Sequence, residues 1–390
     1  MTTIHTVHRG DASRMSTIPD ASIDLMVTSP PYPMIEMWDG MFADLDENIR
    51  IALADHDAAG AFRLMHARLD AVWAEVSRVL KPGGIACINI GDATRTVAGD
   101  FRLYSNHSRV LSSLESLGLV ALPDILWRKQ TNAPNKFLGS GVLPAGAYVT
   151  LEHEYILIAR KGRRRAFASE GERQRRRASS FFWEERNVWF SDVWLDVQGT
   201  AQDLEIRESR KRSAAYPLEI PCRLINMFSV KGDMVLDPFL GTGTTAIAAL
   251  ATARNSIGYE LDAPLCRIAE TVLLEAIPAA RSYIEERVRA HVEFIARRSQ
   301  AGGFFGHRNR HYDFEVVTEP ETDLVLDLPS EVRDAGHGRF EATYAAEILP
   351  AALPSWKAQA LPAPPPVPCE GNRGLRDALR AESPLNTEEL

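Results

Sequence analysis

The sequence predicts a doubly wound α/β fold, and three observations carry that prediction. Short apolar runs bounded by breakers, Ile23–Thr28, Ile85–Ile90, Glu154–Ala159 and Met234–Asp237, read as buried strands. A helical repeat of Met65, Leu69, Val72, Val76 and Val79 runs into Lys81-Pro82-Gly83-Gly84 and then into the second of those strands. A glycine-rich turn after Asp237 opens an Ala-rich helix from Thr244 to about Ala253, followed by a strand at Ser256–Glu260. Strands alternating with helices in this way bury both faces of one sheet.

The elements follow in order. The opening MTTIHTVHRGDASRM has no apolar run that would read as a secretory signal, and no 18-residue apolar segment occurs anywhere, so the expected location is the cytoplasm with no membrane partner. Ile23–Thr28 ends abruptly at Ser29-Pro30-Pro31-Tyr32, because proline cannot continue a central strand. Residues 33–60 show no clean period and read as a loop or a partly helical insertion. A further strand is expected across Ala121–Arg128. Beyond Ser256–Glu260, Pro264 suits the start of a helix with Leu265, Ile268, Ala269, Val272 and Leu273 on its apolar face. The helical pattern continues to about Arg298, and Gly302-Gly303 ends it. The remainder is acidic and Pro-rich, with Ala363–Pro368 leaning towards polyproline II and disorder.

Composition sets the class of protein. The chain has 390 residues, 45% hydrophobic and 25% charged, which suits a soluble globular protein of one large domain or two ordinary ones. Four scattered cysteines have no metal-ligand spacing and suggest neither a disulfide framework nor a zinc site. The net charge of −8 argues at first sight against a nucleic-acid binder. Its distribution reverses that reading. Residues 313–390 hold 15 acidic and 6 basic residues, so residues 1–312 carry a net +1. Within that body, Arg160–Arg177 holds nine basic residues against Glu170 and Glu172. Such a run suits either a solvated surface loop or phosphate contact. Phe181, Phe182, Trp183, Trp189, Phe190 and Trp194 follow it, and aromatics beside clustered arginines suit a DNA-contacting segment or a satellite core.

Two motifs carry chemistry. In Asp237-Pro238-Phe239-Leu240-Gly241-Thr242-Gly243-Thr244-Thr245, closely spaced glycines let the backbone approach a ligand at a helix N-terminus. Glu260 closes the next strand, where a carboxylate can accept from ribose hydroxyls, so an adenosine-containing cofactor is expected; Gly241-x-Gly243-x-x-Ala246 also fits a dinucleotide fingerprint. In Ser29-Pro30-Pro31-Tyr32 the prolines fix a rigid turn that holds the Ser29 hydroxyl. Tyr32 offers a face for a planar ring, and the Pro30 carbonyl offers an acceptor for an amino group.

These motifs, in this order, resemble those of the amino-methylating DNA methyltransferases that make N4-methylcytosine or N6-methyladenine, in their β-type arrangement. There the Ser/Asp/Asn-Pro-Pro-Tyr motif precedes the Phe-x-Gly-x-Gly motif, as Tyr32 precedes Phe239 here. Supporting pieces are Gly10-Asp11-Ala12, Leu80-Lys81-Pro82-Gly83-Gly84, Trp127-Arg128-Lys129, His153-Glu154-Tyr155-Ile156 and Tyr216-Pro217, and the likeness covers roughly residues 1–275. The His-Pro pattern often found before the last of these is replaced by Ser213-Ala214-Ala215.

The resemblance implies a circularly permuted methyltransferase fold on a mostly parallel seven-stranded sheet, with S-adenosyl-L-methionine as cofactor. Phe239, Gly241 and Gly243 would line its methionine end, with Thr244 opening the helix, Asp237 facing the ammonium group, Glu260 holding the ribose and Asp11 near the adenine, unless Asp11 is a turn residue. Ser29 and the Pro30 carbonyl, set by Pro31, would bind the target amino group, and Tyr32 would stack on a base flipped out of double-stranded DNA. Arg163, Arg164, Arg165, Arg173, Arg175, Arg176 and Arg177 would neutralise phosphates. Ser at the head of the motif favours cytosine N4, with adenine N6 as the alternative. A protein glutamine methyltransferase, an NAD-dependent oxidoreductase and a non-catalytic DNA-binding module are the rivals. The implied organisation is a catalytic half (residues 1–160), a target-recognition region (161–212), a cofactor-binding half (213–300) and an acidic, partly disordered extension (301–390). The implied setting is a restriction-modification system with a cognate endonuclease, the enzyme acting as a monomer or loose homodimer.

Overall fold

Ile23–Thr28 is buried along its whole length, and its side chains show why the sheet is covered on both faces. Leu25 and Val27 pack with Cys87, Ile156 and Val235 on one side, while Ile23 and Met26 pack with Ile88 and Leu236 on the other. The computed structural model describes residues 1–129, 138–198, 216–312 and 314–345. Among these, the main sheet consists of β1 (Thr2–Arg9), β2 (Ile23–Thr28), β3 (Leu80–Ile90), β4 (Leu119–Ala121), β5 (Ile125–Arg128), β6 (His153–Lys161), β7 (Val193–Trp194), β8 (Met234–Asp237), β9 (Asn255–Glu260), β10 (Pro329–Gly336) and β11 (Arg339–Tyr344). Its order is β7-β5-β6-β3-β2-β8-β9-β1-β11-β10, and β4 pairs with β6. The central strands β3, β2, β8, β9 and β1 are mutually parallel. Antiparallel pairing adds β6 and β5 on one flank and β11 and β10 on the other.

Helices α1 (Asp39–Leu45), α2 (Glu47–Ala54), α3 (Ala58–Val79) and α4 (Asn106–Ser116) come first in the chain, then α5 (Glu170–Ala178), α6 (Trp183–Trp189), α7 (Glu219–Phe228), α8 (Thr244–Ala251), α9 (Ala263–Leu274) and α10 (Ile277–Gln300). The first four cover one face through Phe42, Ile49, Met65, Leu69, Val76 and Leu114, and α7 and α8 cover the other through Ile220, Leu224 and Ala248. No helix among the described residues is long and apolar enough to cross a membrane.

Local chemistry explains the boundaries. Asp57 caps α3 by accepting from the Gly60 N–H at 2.9 Å. Near the start of β3 the chain turns through Gly83 at φ +87°, where a Cβ would stand 2.7 Å from the backbone nitrogen of Arg165, so a side chain there would collide with the loop above it. The insertion at residues 33–60 holds a 3-10 turn, Glu36–Trp38, ahead of α1 and α2. The helical stretch expected to run unbroken to Arg298 divides into α9 and α10, because Pro278 in the first turn of α10 cannot donate to the preceding turn.

The α/β class holds, but the sheet has eleven strands among the described residues rather than seven. Short β4 and β7 widen one flank, and residues 329–344, which composition groups with the acidic extension, form β10 and β11 on the other. Composition hides β11 because it averages an alternation: Phe340, Ala342 and Tyr344 point inwards while Arg339, Glu341 and Thr343 do not. The rest of that extension, from residue 346, lies outside the described residues, and with it Ala363–Pro368.

Strand β1 has no counterpart in the sequence reading. Only Ile4 and Val7 are aliphatic, yet Thr3 and His5 are fully buried. Their polar atoms are paired: Thr3 Oγ1 lies 2.9 Å from His5 Nε2 and 2.9 Å from the Tyr344 hydroxyl, and His5 Nδ1 lies 2.8 Å from Ser256 Oγ. Burial drives the His5 pKa down to about 3. The unfolded chain therefore takes up a proton at His5 below about pH 6.5 while the folded chain does not, so this contribution to stability is complete above pH 6.5 and lost as pH falls towards 3. Urea unfolding of His5→Leu between pH 7 and 4 should show a shallower loss of stability than the unsubstituted protein; equal slopes would refute the assignment.

Candidate active site

Adjacent strands β2 and β8 lead away in opposite directions, β2 through α3 to β3 and β8 through α8 to β9. Such a reversal opens a crevice at the carboxyl ends of the strands. There the structure has a cleft of about 550 Å³, lined by Asp11, Ser29, Pro30, Pro31, Tyr32, Asp237, Phe239, Gly241, Thr244 and Glu260 among others. Two motifs more than two hundred residues apart in the chain therefore share one cavity. Gly243 is not in its wall. At φ +91° it stands at the N-cap of α8, and a Cβ there would lie 3.2 Å from the Cβ of Ala269 on α9.

Asp237 joins the two motifs. Its Oδ1 accepts from Thr28 Oγ1 at 2.6 Å and from the Phe239 N–H at 3.0 Å, and its Oδ2 accepts from Thr245 Oγ1 at 2.5 Å. The Tyr216 hydroxyl meets Thr245 Oγ1 at 2.5 Å. Burial raises the Asp237 pKa to about 6 against these hydrogen bonds. The carboxylate is thus a clamp between strand ends and helix before it is a partner for an ammonium group. Glu260 fixes the turns on its own side, accepting from the Gly241 N–H at 2.8 Å and the Asp262 N–H at 2.9 Å. A carboxylate has about four acceptor sites, so acceptor capacity remains. Asp11 accepts from the Ser13 N–H at 2.8 Å, as a turn residue does, and still borders the cleft with Arg68 3.4 Å away.

At the other end of the cleft the Ser29 hydroxyl lies 3.0 Å from that of Tyr32, which donates to Glu154 Oε2 at 2.9 Å. Asn89 Nδ2 reaches the Tyr32 hydroxyl at 3.0 Å and Glu154 Oε2 at 2.7 Å, and Lys129 Nζ donates to Glu154 Oε1 at 2.9 Å. A Cβ at Gly91 would stand 3.0 Å from the Tyr32 ring, so glycine after β3 makes room for it. Buried Asn106 braces the same loops, donating to the carbonyls of Pro33 at 3.1 Å and Gly91 at 2.9 Å while its Oδ1 meets His66 Nε2 at 3.0 Å.

Sequence reasoning did not assign a role to Asn89, Lys129, Glu154 or Asn106, nor to the cleft-lining Phe42 and Arg68. Lys129 and Glu154 stand inside segments that carry the family likeness; the antiparallel pairing of β5 with β6, which sets them side by side, is a tertiary fact.

The basic run is not at this cleft. Strand β6 is antiparallel to β3, with Tyr155 opposite Ile90 and Arg160 opposite Ile85, so the chain leaves β6 at the amino ends of the parallel strands. The eleven residues of β3 put roughly 30 Å between the two ends. Arg165 donates to Asp233 Oδ2 at 2.6 Å and Oδ1 at 3.1 Å, Arg173 pairs with Glu170, and Arg177 pairs with Glu319. Arg176 lies over the Phe167 ring at 4.8 Å, and Arg163, Arg164 and Arg175 are exposed. Arg165, Arg173 and Arg177, expected at phosphates, thus each stand in an ion pair at the end of the sheet away from the cleft.

Comparison with known proteins agrees with this geometry. The sequence profile of the N6/N4 DNA methylase family matches residues 23–271. The type II methyltransferase M.MthZI of Methanothermobacter thermautotrophicus is 48% identical over 345 residues, covering 88% of this chain and 96% of that protein. M.MjaI of Methanocaldococcus jannaschii, also a type II methyltransferase, is 52% identical over 281 residues, covering 69% and 91%. A Thermus thermophilus protein assigned as a DNA modification methylase, solved in complex with S-adenosyl-L-methionine, superposes with a TM-score of 0.53 at 31% identity, covering 70% of this chain and 96% of that one. The chain belongs to the DNA methylase family, and its cofactor is S-adenosyl-L-methionine. The cleft suits that molecule: glycine backbone at one end, a strand-end carboxylate in Glu260, and apolar walls from Trp38, Leu69 and Val72.

Two outcomes follow. Gly243→Ala forces φ +91° on a residue with a Cβ that crowds Ala269, and should cost about 1–3 kcal/mol and weaken S-adenosylmethionine binding; thermal unfolding and calorimetry measure both. Arg165→Met leaves Asp233 buried without its cationic partner, which should cost about 1–3 kcal/mol in urea unfolding, while the salt dependence of DNA binding stays unchanged. A shallower salt slope would restore Arg165 to the phosphate contacts.

Proposed function

We propose that the protein transfers a methyl group from S-adenosylmethionine to the exocyclic N4 of a cytosine flipped out of a short duplex site. We further propose that it does so in the cytoplasm as a monomer or loose homodimer, and as the modification partner of a restriction endonuclease. The observation that carries this reading is the position of Ser29, Pro30 and Tyr32 in the wall of the same cleft as Phe239, Gly241 and Glu260. Ser rather than Asp at the head of the motif supports cytosine over adenine, and the type II relatives support the restriction-modification setting.

S-adenosylmethionine supplies a methyl group on a positively charged sulfur, so no covalent enzyme intermediate is needed. The chain's own task is positioning. An amino group conjugated to its ring is a weak nucleophile. Accepting its hydrogens at Ser29 Oγ and the Pro30 carbonyl localises the nitrogen lone pair, and the Tyr32 ring stacks on the base. Phe239 and Glu260 fix the cofactor on the far side. Duplex contact falls to segments that leave the sheet at this end: the hairpin Ala93–Val97 with Asp100–Tyr104, residues 138–152, and the chain beyond β7. The last of these runs into residues 199–212 of the proposed recognition region, which lie outside the described residues.

Mass analysis of nucleosides from cells expressing the protein should reveal N4-methylcytosine; N6-methyladenine in its place would overturn the cytosine assignment. Ser29→Ala should slow transfer by about 10²–10³-fold, the scale for one lost transition-state hydrogen bond, with S-adenosylmethionine affinity kept within about twofold.

A further inference from the structure

Behind the Ser29–Tyr32 loop runs a line of hydrogen bonds for which cofactor binding has no use, and its polarity is fixed. Glu154, as a carboxylate, only accepts. The one hydrogen on the Tyr32 hydroxyl is therefore directed at Glu154 Oε2, 2.9 Å away. The Tyr32 oxygen is left to accept, from Asn89 at 3.0 Å and from Ser29 at 3.0 Å. Ser29 thus spends its hydrogen on Tyr32, and its oxygen, approached only at 3.5 Å by Asn89 Nδ2, keeps a lone pair with which to accept from an amino group in the cleft. Both hydroxyls point the same way, from the cleft through Ser29 and Tyr32 to Glu154. Burial and the neighbouring Glu154 charge hold the Tyr32 pKa well above the usual phenol range, so it stays protonated and passes hydrogen without becoming a base itself.

The acceptor at the end of the line is built to be charged. Glu154 is 8% exposed on β6, a strand that takes no part in the cofactor cleft, and an ionised carboxylate there carries a desolvation cost that a neutral glutamine would avoid. Lys129, from the end of β5, and Asn89, on β3, hold its two oxygens at 2.9 and 2.7 Å. The Lys129 side chain is 48% exposed, so it needs no partner for its own sake and connects the Oε1 side of the carboxylate to water.

We infer that Glu154 receives, through Ser29 and Tyr32, the proton that the target amino group must lose. The inference rests on the reading of Ser29 as the partner of that amino group. As the N–C bond forms, the C–S bond breaks with its electron pair passing to sulfur, and the base nitrogen becomes a cation bearing the methyl group and both of its hydrogens. One of these passes to Ser29 Oγ while the Ser29 hydrogen moves to Tyr32 and the Tyr32 hydrogen moves to Glu154. The base ends neutral, Ser29 and Tyr32 each end with one hydrogen, and Glu154 ends as a carboxylic acid that returns its proton to water beside Lys129. Glu154 touches no substrate and acts through Tyr32.

The test uses the full chain, S-adenosylmethionine and a duplex carrying the modified site with a fluorescent base analogue beside the target. Single-turnover transfer is measured for the unsubstituted enzyme, Glu154→Gln, Tyr32→Phe and the double variant, with cofactor affinity by calorimetry and base flipping by fluorescence. Transfer in Glu154→Gln should slow by about 10²-fold or more, the usual scale of general acid–base catalysis, with cofactor affinity and the flipping signal within about twofold. Tyr32→Phe should lose a similar factor, and the double variant should be no slower than the slower single, because both remove one path. Unchanged transfer in Glu154→Gln, or losses that multiply in the double variant, would overturn the relay. If Glu154→Gln fails to bind cofactor, Tyr32→Phe decides alone: the unsubstituted enzyme should transfer more slowly in deuterium oxide and Tyr32→Phe should lose that dependence, and an unsubstituted enzyme without it refutes the relay. An unsubstituted enzyme that leaves DNA unmethylated sinks the functional reading itself, a result distinct from an active enzyme with unaffected variants.

Discussion

The buried carboxylate of Asp237 is the constraint on which the site depends. It ends β8, yet it takes hydrogen bonds from Thr28 at the end of β2 and from Thr245 in the first turn of α8. Parallel strands brought side by side do not by themselves align the loops that leave them; two short hydroxyl contacts to one carboxylate do. The loop beginning at Ser29 and the turn beginning at Pro238 are thereby held in one register, with the crevice between them. Burying the charge carries a cost, visible in the raised pKa, and that cost is tolerable because three donors converge on it. Tyr216 extends the arrangement by closing on Thr245.

Much of this was legible in the sequence for local reasons. Ile23–Thr28 and Met234–Asp237 announce themselves as buried strands because both faces of a central parallel strand are apolar, and their ends are marked by prolines. The glycine turn and Glu260 are recognisable because backbone conformation and strand-end position are short-range properties. What escaped depends on long-range pairing. Strand β1 buries threonine and histidine, and only the hydroxyls of Ser256 and Tyr344 make that tolerable. Strands β10 and β11 were hidden in an acidic average. Glu154 and Lys129 come together across an antiparallel ladder, and Asn89 reaches them from the next strand.

The basic run is a strong local signal that takes its meaning from direction. Nine cations in eighteen positions look like a surface for polyanions, but β6 runs against its neighbour and delivers them to the end of the sheet remote from the crevice. There they meet Asp233, Glu170 and Glu319. Part of the acidity that dominated the C-terminal composition is thus matched within the chain, and neither sign of charge can be read in isolation from its partner.

The pairing of Thr3 with Tyr344 spans 341 residues, and this bears on how the molecule is made. During synthesis the first strand emerges at once, but its neighbour β9 and the outer pair β10 and β11 arrive only after most of the polypeptide has been translated. At about 5–20 residues per second that delay is on the order of tens of seconds. Until β8 emerges, the nascent chain holds the Ser29 loop without the Asp237 that positions it. Competence therefore comes late and as a unit, so that an interrupted ribosome releases fragments that lack one wall of the crevice.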